Sequence, residues 1–498
     1  MKRRDLLKTG LMGVGAAVGA AAAGTAAGTA AASEVPVHEH EKQEWDVVVV
    51  GAGFAGMCAA LEAAEQGAKV VLLEKMGRPD GATVYSSGWI AAVGSRFQKN
   101  HPDTPEAFFK DMMRISGGRS DPNLIRVYAA EAGKGVDWLA DHGTPFYLWE
   151  NLPPPELSRC LISPGKGITG GSQLIRCLLA ALQKKNVPIH YNTKAVELII
   201  DDLFNVYGIS CVTEKGRVDY MAKGGVIITT GGFGANQAMV DQYIGPWASR
   251  LVVRGSPWIT GENILFAQQV HAKLVNMDQF YAGPITPTGH ANPSPLMSAG
   301  YGIQVNSQGK RFVPESWQQV PKAKAIAQLT PDNMSYILIG EDADASGNIL
   351  TNTLKRFDSL SYKIPKGNTV AEVAKAVGIP PQNLEKTVKE FNAAVKAGKA
   401  AELDPPYLFK TPHALEKGPF YLVPAVGGMA STFGGPKIDV NANVVNTENR
   451  PIPGLYAAGA AAGGLWYQDD IGGNQLGGGM VFGRIAARNA TARAKAAK

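Results

Sequence analysis

W-D-V-V-V-V-G-A-G-F-A-G, at Trp45–Gly56, compresses a strand, a turn and the start of a helix into one short stretch. Asp46–Val50 is a β-branched run of the kind that fills a buried parallel strand. Gly51, Gly53 and Gly56 then spell G-x-G-x-x-G. Met57–Gln66 predicts a helix ending at Gly67. Ala68–Leu73 predicts a second strand, with Glu74 at its end, about 20 residues beyond the glycines. Gly51 allows the tight turn, Gly53 lets backbone approach a pyrophosphate, and Gly56 lets helix and strand pack closely. The helix start offers free N–H groups and the positive end of its dipole to phosphates. Glu74 is placed to take ribose hydroxyls. Strand, turn, helix, strand and acid in this order predict a dinucleotide-binding unit of the α/β class.

Around that unit the chain runs to 498 residues, with 45% hydrophobic and 18% charged residues, enough for a core and for more than one domain. Gly occurs 58 times, above the roughly 7% of average usage, an excess that asks for a use. Lys and Arg number 49 against 43 Asp and Glu, a net charge of +6 too weak and dispersed to argue for nucleic acid. Cys58, Cys160, Cys177 and Cys211 are scattered, which excludes a disulfide scaffold, a zinc ribbon and C-x-x-C-H haem attachment. No metal site is expected.

Two further glycine segments lie far downstream. Gly224–Gly234 reads G-G-V-I-I-T-T-G-G-F-G, a buried strand running into T-T-G-G. Ile452–Gly459 reads I-P-G-L-Y-A-A-G, and Gly472–Arg484 reads G-G-N-Q-L-G-G-G-M-V-F-G-R. A nicotinamide enzyme would continue as a simple doubly wound sheet. Three glycine segments so far apart point instead to one extended cofactor, FAD. An Ala/Arg-rich helix is predicted from about Met480 to Ala496.

The first residues read as an address. Met1–Lys8 is M-K-R-R-D-L-L-K, followed by an Ala/Gly-rich run to Ala32. Twin arginines Arg3 and Arg4, a weakly apolar run and Ala30–Ala32 fit a twin-arginine export signal over 1–32, with a linker over 33–45. The run is poor in Leu and Ile, which disfavours a membrane anchor. The expected location is the periplasm, reached through the twin-arginine machinery, which carries proteins already folded.

These residues together resemble the flavoprotein family of soluble periplasmic fumarate reductases, urocanate reductases and ketosteroid dehydrogenases. The resemblance spans nearly the whole chain past the signal. It rests on the Gly51–Gly56 turn, A-T-V-Y-S-S-G-W at Ala82–Trp89, T-T-G-G-F-G, G-K-R-F-V-P-E at Gly309–Glu315 and the C-terminal glycine pair. It implies a Rossmann-like FAD-binding domain in two sequence pieces, 46–277 and 433–498, with an α+β capping domain inserted over 278–432. The cofactor set it implies is Gly51, Ala52, Gly53, Ala55, Gly56, Glu74, Lys75, Thr83, Ser86, Ser87, Gly88, Val196, Thr230, Gly231, Gly232, Gly459, Ala460, Leu476, Gly477 and Gly478. Relatives that link FAD covalently carry a His in the Asp80–Gly88 stretch; none stands here, so the FAD is expected to be non-covalent. Some relatives carry an N-terminal haem domain that is missing here, so electrons are expected to pass through a separate redox partner, such as a c-type cytochrome or a quinol-linked donor. Inside the cap, Asn368–Lys399 predicts two helices broken at Gly378–Pro381, with Leu384, Val388, Phe391 and Val395 on one apolar face.

The fumarate reductase branch clamps a dicarboxylate with His and Arg. Carried over position by position, the His of A-H-P becomes Gly283. The proton-donor Arg past Glu315 becomes Gln319. A His–Thr pair becomes Ser431–Thr432. The Arg of N-R-L-G-G becomes Gln475. The acid and Arg of the proton relay fall near Leu296 and Ala299. A buried carboxylate without cationic partners would cost several kcal/mol, so the substrate is expected not to be a dicarboxylate and to lack a carboxylate at the reacting end. The alternative is that Arg96, Arg254 or Arg311 moves in from another strand. The ketosteroid branch uses Tyr residues, and those positions are Gln319 and the neighbourhood of Asp470 here. A Gln cannot shuttle a proton, which leaves Tyr281, Tyr301, Tyr467, His290 and Asp470 as general-acid candidates. The resulting expectation is a periplasmic FAD oxidoreductase moving hydride between flavin N5 and a small organic substrate, most simply an activated C=C bond. A ketosteroid-type dehydrogenase running oxidatively, a flavin electron-transfer protein and a catalytically inactive binding protein remain the alternatives.

Overall fold

The computed structural model describes residues 41–497 apart from 102, 151–156, 288–300 and 342–348. The expected export signal, His290, Leu296 and Ala299 lie outside the described residues.

In chain order, the elements that carry the site are β1 (Glu41–Val50), α1 (Phe54–Glu65), β2 (Val70–Leu73), β3 (Gly216–Ile228), β4 (Phe280–Ile285), α2 (Gln319–Leu329), β5 (Met334–Gly340), α3 (Ile349–Ser359), β6 (Phe420–Thr432), β7 (Pro451–Ala457) and α4 (Asn474–Ala496). Val47–Val49 are fully buried and pair in parallel with β2 on one side and β3 on the other. A strand covered on both faces needs such a continuous apolar run. β7 adds in parallel to the far edge of β3, so the C-terminal glycine segment returns beside the first. α4 packs against α1 and β3, joining the end of the chain to its first βαβ unit.

A second sheet orders Val252–Val253, β6, β5 and Gly302–Val305, with β4 and Lys366–Gly367 also on β6. Its residues come from between β3 and β7, and it begins as early as Val252–Val253, before residue 278. The two helices expected over Asn368–Lys399 are Val370–Ala376, capped by the Thr369 side chain, and Pro381–Lys396. They break at Gly378–Pro380. Leu384, Val388 and Phe391 are buried from the second helix, as its 3.6-residue period requires. No helix among the described residues is long and apolar enough to cross a membrane.

Candidate active site

One cavity of about 1290 Å³ runs from the Gly51–Gly53 turn to the second sheet. At its first end the sequence logic holds residue by residue. Gly51 has φ of +105°, which L side chains rarely adopt. A Cβ on Gly56 would lie 1.9 Å from the Gly51 carbonyl oxygen, so its lack of a side chain lets α1 meet the turn. A Cβ on Gly53 would meet nothing nearer than the Asp80 carbonyl oxygen at 3.9 Å and would stand in the cavity. Gly53 offers no side-chain cap to α1; the Phe54 N–H makes one long bond, to Thr83 Oγ1 at 3.4 Å, and the next N–H groups of the first turn are left for a ligand. Glu74 lines the cavity while accepting from the N–H groups of Ala52 and Met76, both at 2.9 Å. Burial pushes its carboxyl above the usual range, and the two backbone donors partly offset this. The Lys75 ammonium is engaged by Glu262 Oε1 at 2.5 Å and Thr260 Oγ1 at 3.0 Å.

The remaining cofactor residues divide into wall and support. Ala55, Thr83, Ser86, Ser87, Thr230, Gly231, Gly232, Gly459, Ala460 and Leu476 line the cavity. Ala52, Gly56 and Gly88 stand behind it; the space beside Gly88 is taken by the Gly170 backbone. Val196 is also off the wall. A bulge between Ala195 and Glu197 takes it out of the strand ladder, and Lys194 and Ala195 face the cavity instead. Thr230 Oγ1 is buried with no hydrogen-bond partner and belongs to the wall. An orphaned hydroxyl, uncapped amides and a glycine that leaves the pyrophosphate room together fit an extended dinucleotide such as FAD.

The C-terminal helix starts earlier than its propensities suggest. α4 begins at Asn474, after Gly473 in the left-handed region, and takes in Gly477–Gly479. Glycine is a poor helix former, but three neighbours require it. A Cβ at Gly477 would lie 2.3 Å from the Tyr128 hydroxyl oxygen, at Gly478 2.6 Å from Leu465 Cδ2, and at Gly479 3.2 Å from Ala55 Cβ. Gly477 and Gly478 therefore face protein, correcting their expected place on the flavin side; Gly479 lies on the wall. The Asn474 and Gly477 N–H groups donate to Ile471 and Gly473 carbonyls, whereas Gln475 and Leu476 present the first turn to the cavity.

The other end of the cavity gathers Gln319, Tyr281, Ser431, Asp470 and Gln475 from five separate segments. Tyr281 and Ser431 are cross-strand partners on β4 and β6. Three candidates fall elsewhere. Tyr301 stacks on His413 with ring centroids 4.1 Å apart, outside the wall, because that flat contact satisfies its face. Thr432 is buried behind the wall, its Oγ1 accepting from the Phe233 N–H at 3.2 Å and bracing the T-T-G-G turn. Tyr467 lies under the Arg119 guanidinium at 4.1 Å.

The expectation of a neutral pocket fails. Arg254 and Arg356 both line this end. Of the three arginines named as alternatives, Arg96 pairs with Asp137 and Asp141 and Arg311 with Glu315, leaving Arg254 as the one that reaches the cavity. Its backbone N–H donates to the Met429 carbonyl at 2.7 Å, fixing it at the end of Val252–Val253. Its guanidinium fills the room above Gly283: a Cβ there would lie 2.6 Å from Arg254 Nη1 and 2.9 Å from Gln319 Oε1. Arg356, on α3, was missed altogether; burial and the neighbouring Arg254 charge both lower its pKa. Asp469, beside Asp470, Arg114 and the edge-stacked pair Trp89 and Trp149 also line the cavity.

Comparison with known proteins agrees with this geometry. The FAD binding domain family matches residues 46–476. The chain is 33% identical over 466 residues to the urocanate reductase of Eggerthella lenta, covering 90% of this chain and 75% of that one. The open conformation of a flavocytochrome c3 fumarate reductase superposes with a TM-score of 0.78 at 28% identity, over 91% of this chain and 79% of that one. The 3-ketosteroid-Δ4-(5α)-dehydrogenase of Rhodococcus jostii, complexed with 4-androstene-3,17-dione, gives 0.74 at 27% identity, over 92% and 98%. The glycine turn, the three converging segments and these matches place the chain in the FAD-binding family of flavin-dependent oxidoreductases.

Proposed function

We propose that the protein reduces an activated C=C bond of a small organic molecule, in the periplasm, with non-covalently held FAD. The observation that carries this reading is the continuity of the cavity. The wall that would hold a dinucleotide runs without a break into a polar chamber built by the second sheet and the loop before α4. That chamber has hydrogen-bonding side chains from several elements, the arrangement of a small-molecule site rather than of a protein-docking face. Similarity to a urocanate reductase supports the reductive direction. Bound FAD would supply the hydride, and the chain's own task is to orient the acceptor and provide a proton. Tyr281, Asp469 and Asp470 are wall residues able to carry that proton. Electrons would arrive from a separate c-type cytochrome or quinol-linked donor. The basic, Ala/Gly-rich start of the chain supports twin-arginine export.

The test is anaerobic reoxidation of the viologen-reduced protein by a panel of enones, arylacrylates, steroids and sulfoxides. Oxidation by sulfoxides alone would overturn the C=C reading. Two results are expected alongside it. Acid or heat denaturation should release free FAD into the supernatant; flavin remaining on the chain would contradict non-covalent attachment. Fumarate should be a poor acceptor. Gly283, Gln319, Ser431 and Gln475 offer no charge, so fumarate's two carboxylates would meet Arg254 and Arg356 in place of that set, with Asp469 and Asp470 on the loop before α4 adding negative charge to the wall. Each charged contact is worth about 1.5–3 kcal/mol, so turnover should fall by orders of magnitude below that of the true substrate. Fumarate turnover matching the best substrate would refute this.

A further inference from the structure

Two tryptophans from separate stretches of chain meet in the cavity wall. Trp89 opens a short strand, Trp89–Ala91, that pairs antiparallel with Cys160–Ile162, and Tyr147–Leu148 pairs antiparallel with the same strand. Trp149 follows directly, its N–H donating to the Cys160 carbonyl at 2.9 Å. The three strands thus set the two indoles edge to face, with ring centroids 5.0 Å apart and planes at 74°. Gly472 closes one side of Trp89. A Cβ there would lie 3.3 Å from Trp89 Cε3 and 3.4 Å from Cζ3, so the loop before α4 rests on the indole. Both tryptophans nevertheless line the cavity, and Trp149 keeps 41% of its surface exposed. Large aromatic surface left open inside a concave wall is a place for a ligand to bury.

The pair stands where the two parts of the cavity meet. Ser86 and Ser87, just before Trp89, belong to the cofactor wall, and Gln475, just after Gly472, belongs to the polar chamber. Two ring planes near a right angle form a corner. A flat ring laid on one plane presents its edge to the other, and aromatic pairs favour both the offset-stacked and the edge-to-face contact. An aliphatic group of equal bulk would gain the burial without that added attraction. We infer that the substrate is an aryl-substituted alkene whose ring sits in the corner between Trp89 and Trp149; this rests on the reductase function proposed above. The seated ring would hold the attached C=C bond between the cofactor wall and the chamber, so the two tryptophans both select the substrate and position it.

The experiment uses the full-length holoprotein with reduced methyl viologen and two pairs of acceptors matched in bulk: benzalacetone with its cyclohexyl analogue, and cinnamate with 3-cyclohexylacrylate. In at least one pair the aryl member is expected to be reduced with the higher kcat/KM. Trp89→Leu and Trp149→Leu should each lower that aryl-to-cyclohexyl ratio about 2- to 10-fold, with FAD still bound. Trp149→Phe, which keeps a ring, should restore most of it. Trp149 is exposed, so its variants keep the test open if Trp89→Leu fails to fold. Calorimetric titration of the oxidised protein with the saturated products should show the same preference and the same loss. If aryl and cyclohexyl members are reduced alike, or the preference survives both leucine variants, the aryl site falls while the reductase reading stands. If the saturated aryl compounds bind with a tryptophan-dependent preference but nothing is reduced, the aryl site stands and the reductase reading falls. Binding of tetramethylammonium in place of the aryl compounds, or loss of flavin from both leucine variants, would give the pair another role and overturn the inference. If nothing is reduced and nothing binds, both readings are wrong.

Discussion

Gly53→Val is expected to give a folded, colourless protein. The glycine has extended backbone angles that valine tolerates, and a Cβ there meets no protein atom nearer than 3.9 Å. The added isopropyl group would project into the cavity at the point where pyrophosphate must approach the start of α1. Bound flavin should drop from about one per chain to a few per cent, read from absorbance after denaturation. Circular dichroism should keep its native shape. The melting temperature should still fall, because a ligand present at about a thousand times its dissociation constant contributes about 4 kcal/mol to the folded state. Gly56→Val makes the contrast. Its Cβ would lie 1.9 Å from the Gly51 carbonyl oxygen and 2.5 Å from Thr229 Oγ1, both parts of the protein itself. That variant should be insoluble whether or not FAD is supplied. If Gly53→Val binds flavin at the wild-type ratio, the pyrophosphate does not lie over Gly53.

The contrast also shows what a linear sequence can encode plainly. The βαβ unit is legible because its logic is local: β-branched residues, three glycines and an acid fall within one short stretch, and the structure pairs Val47–Val50 with Val70–Leu73 in parallel register. The helices at Val370–Ala376 and Pro381–Lys396 are legible for the same reason, through a cap, a period and a Gly–Pro break. The chamber is harder, because its charge comes from far apart. Arg254 follows a two-residue strand and Arg356 sits on α3, with no motif linking them. Reading only the positions where relatives place His and Arg makes the pocket look neutral. The available hint was Gly283: losing a side chain at a site wall leaves room that another side chain can enter, and Arg254 enters it. Tyr301 fails as a candidate for a related reason. Its sequence neighbours cannot reveal that His413, over a hundred residues away, stacks on its ring.

The glycine run at the start of α4 shows the same limit, and it yields the second large effect. Gly478→Val should destabilise the protein by about 1–3 kcal/mol or more, the usual penalty of forcing methyl groups into a packed site. Its Cβ would press on Leu465 Cδ2 at 2.6 Å and Trp466 Cζ2 at 2.8 Å. Both neighbours belong to the loop that leads into the helix, so the strain reaches the first turn and the cavity wall together. The urea midpoint should drop, and flavin should be lost with the packing rather than displaced directly. Gln475→Ala separates the two roles. Its side chain faces the cavity three residues before Gly478, at a helix start where alanine is well tolerated. FAD content and urea midpoint should stay near wild type, while kcat/KM falls about three- to tenfold through the loss of a hydrogen bond to the substrate. The helix start itself would remain, so its dipole and the N–H groups of its first turn would still favour the negative charge of reduced flavin. A Gly478→Val protein with unchanged midpoint but a lowered flavin potential would instead place that glycine against the ring. A Gln475→Ala protein with full turnover would remove Gln475 from the substrate chamber.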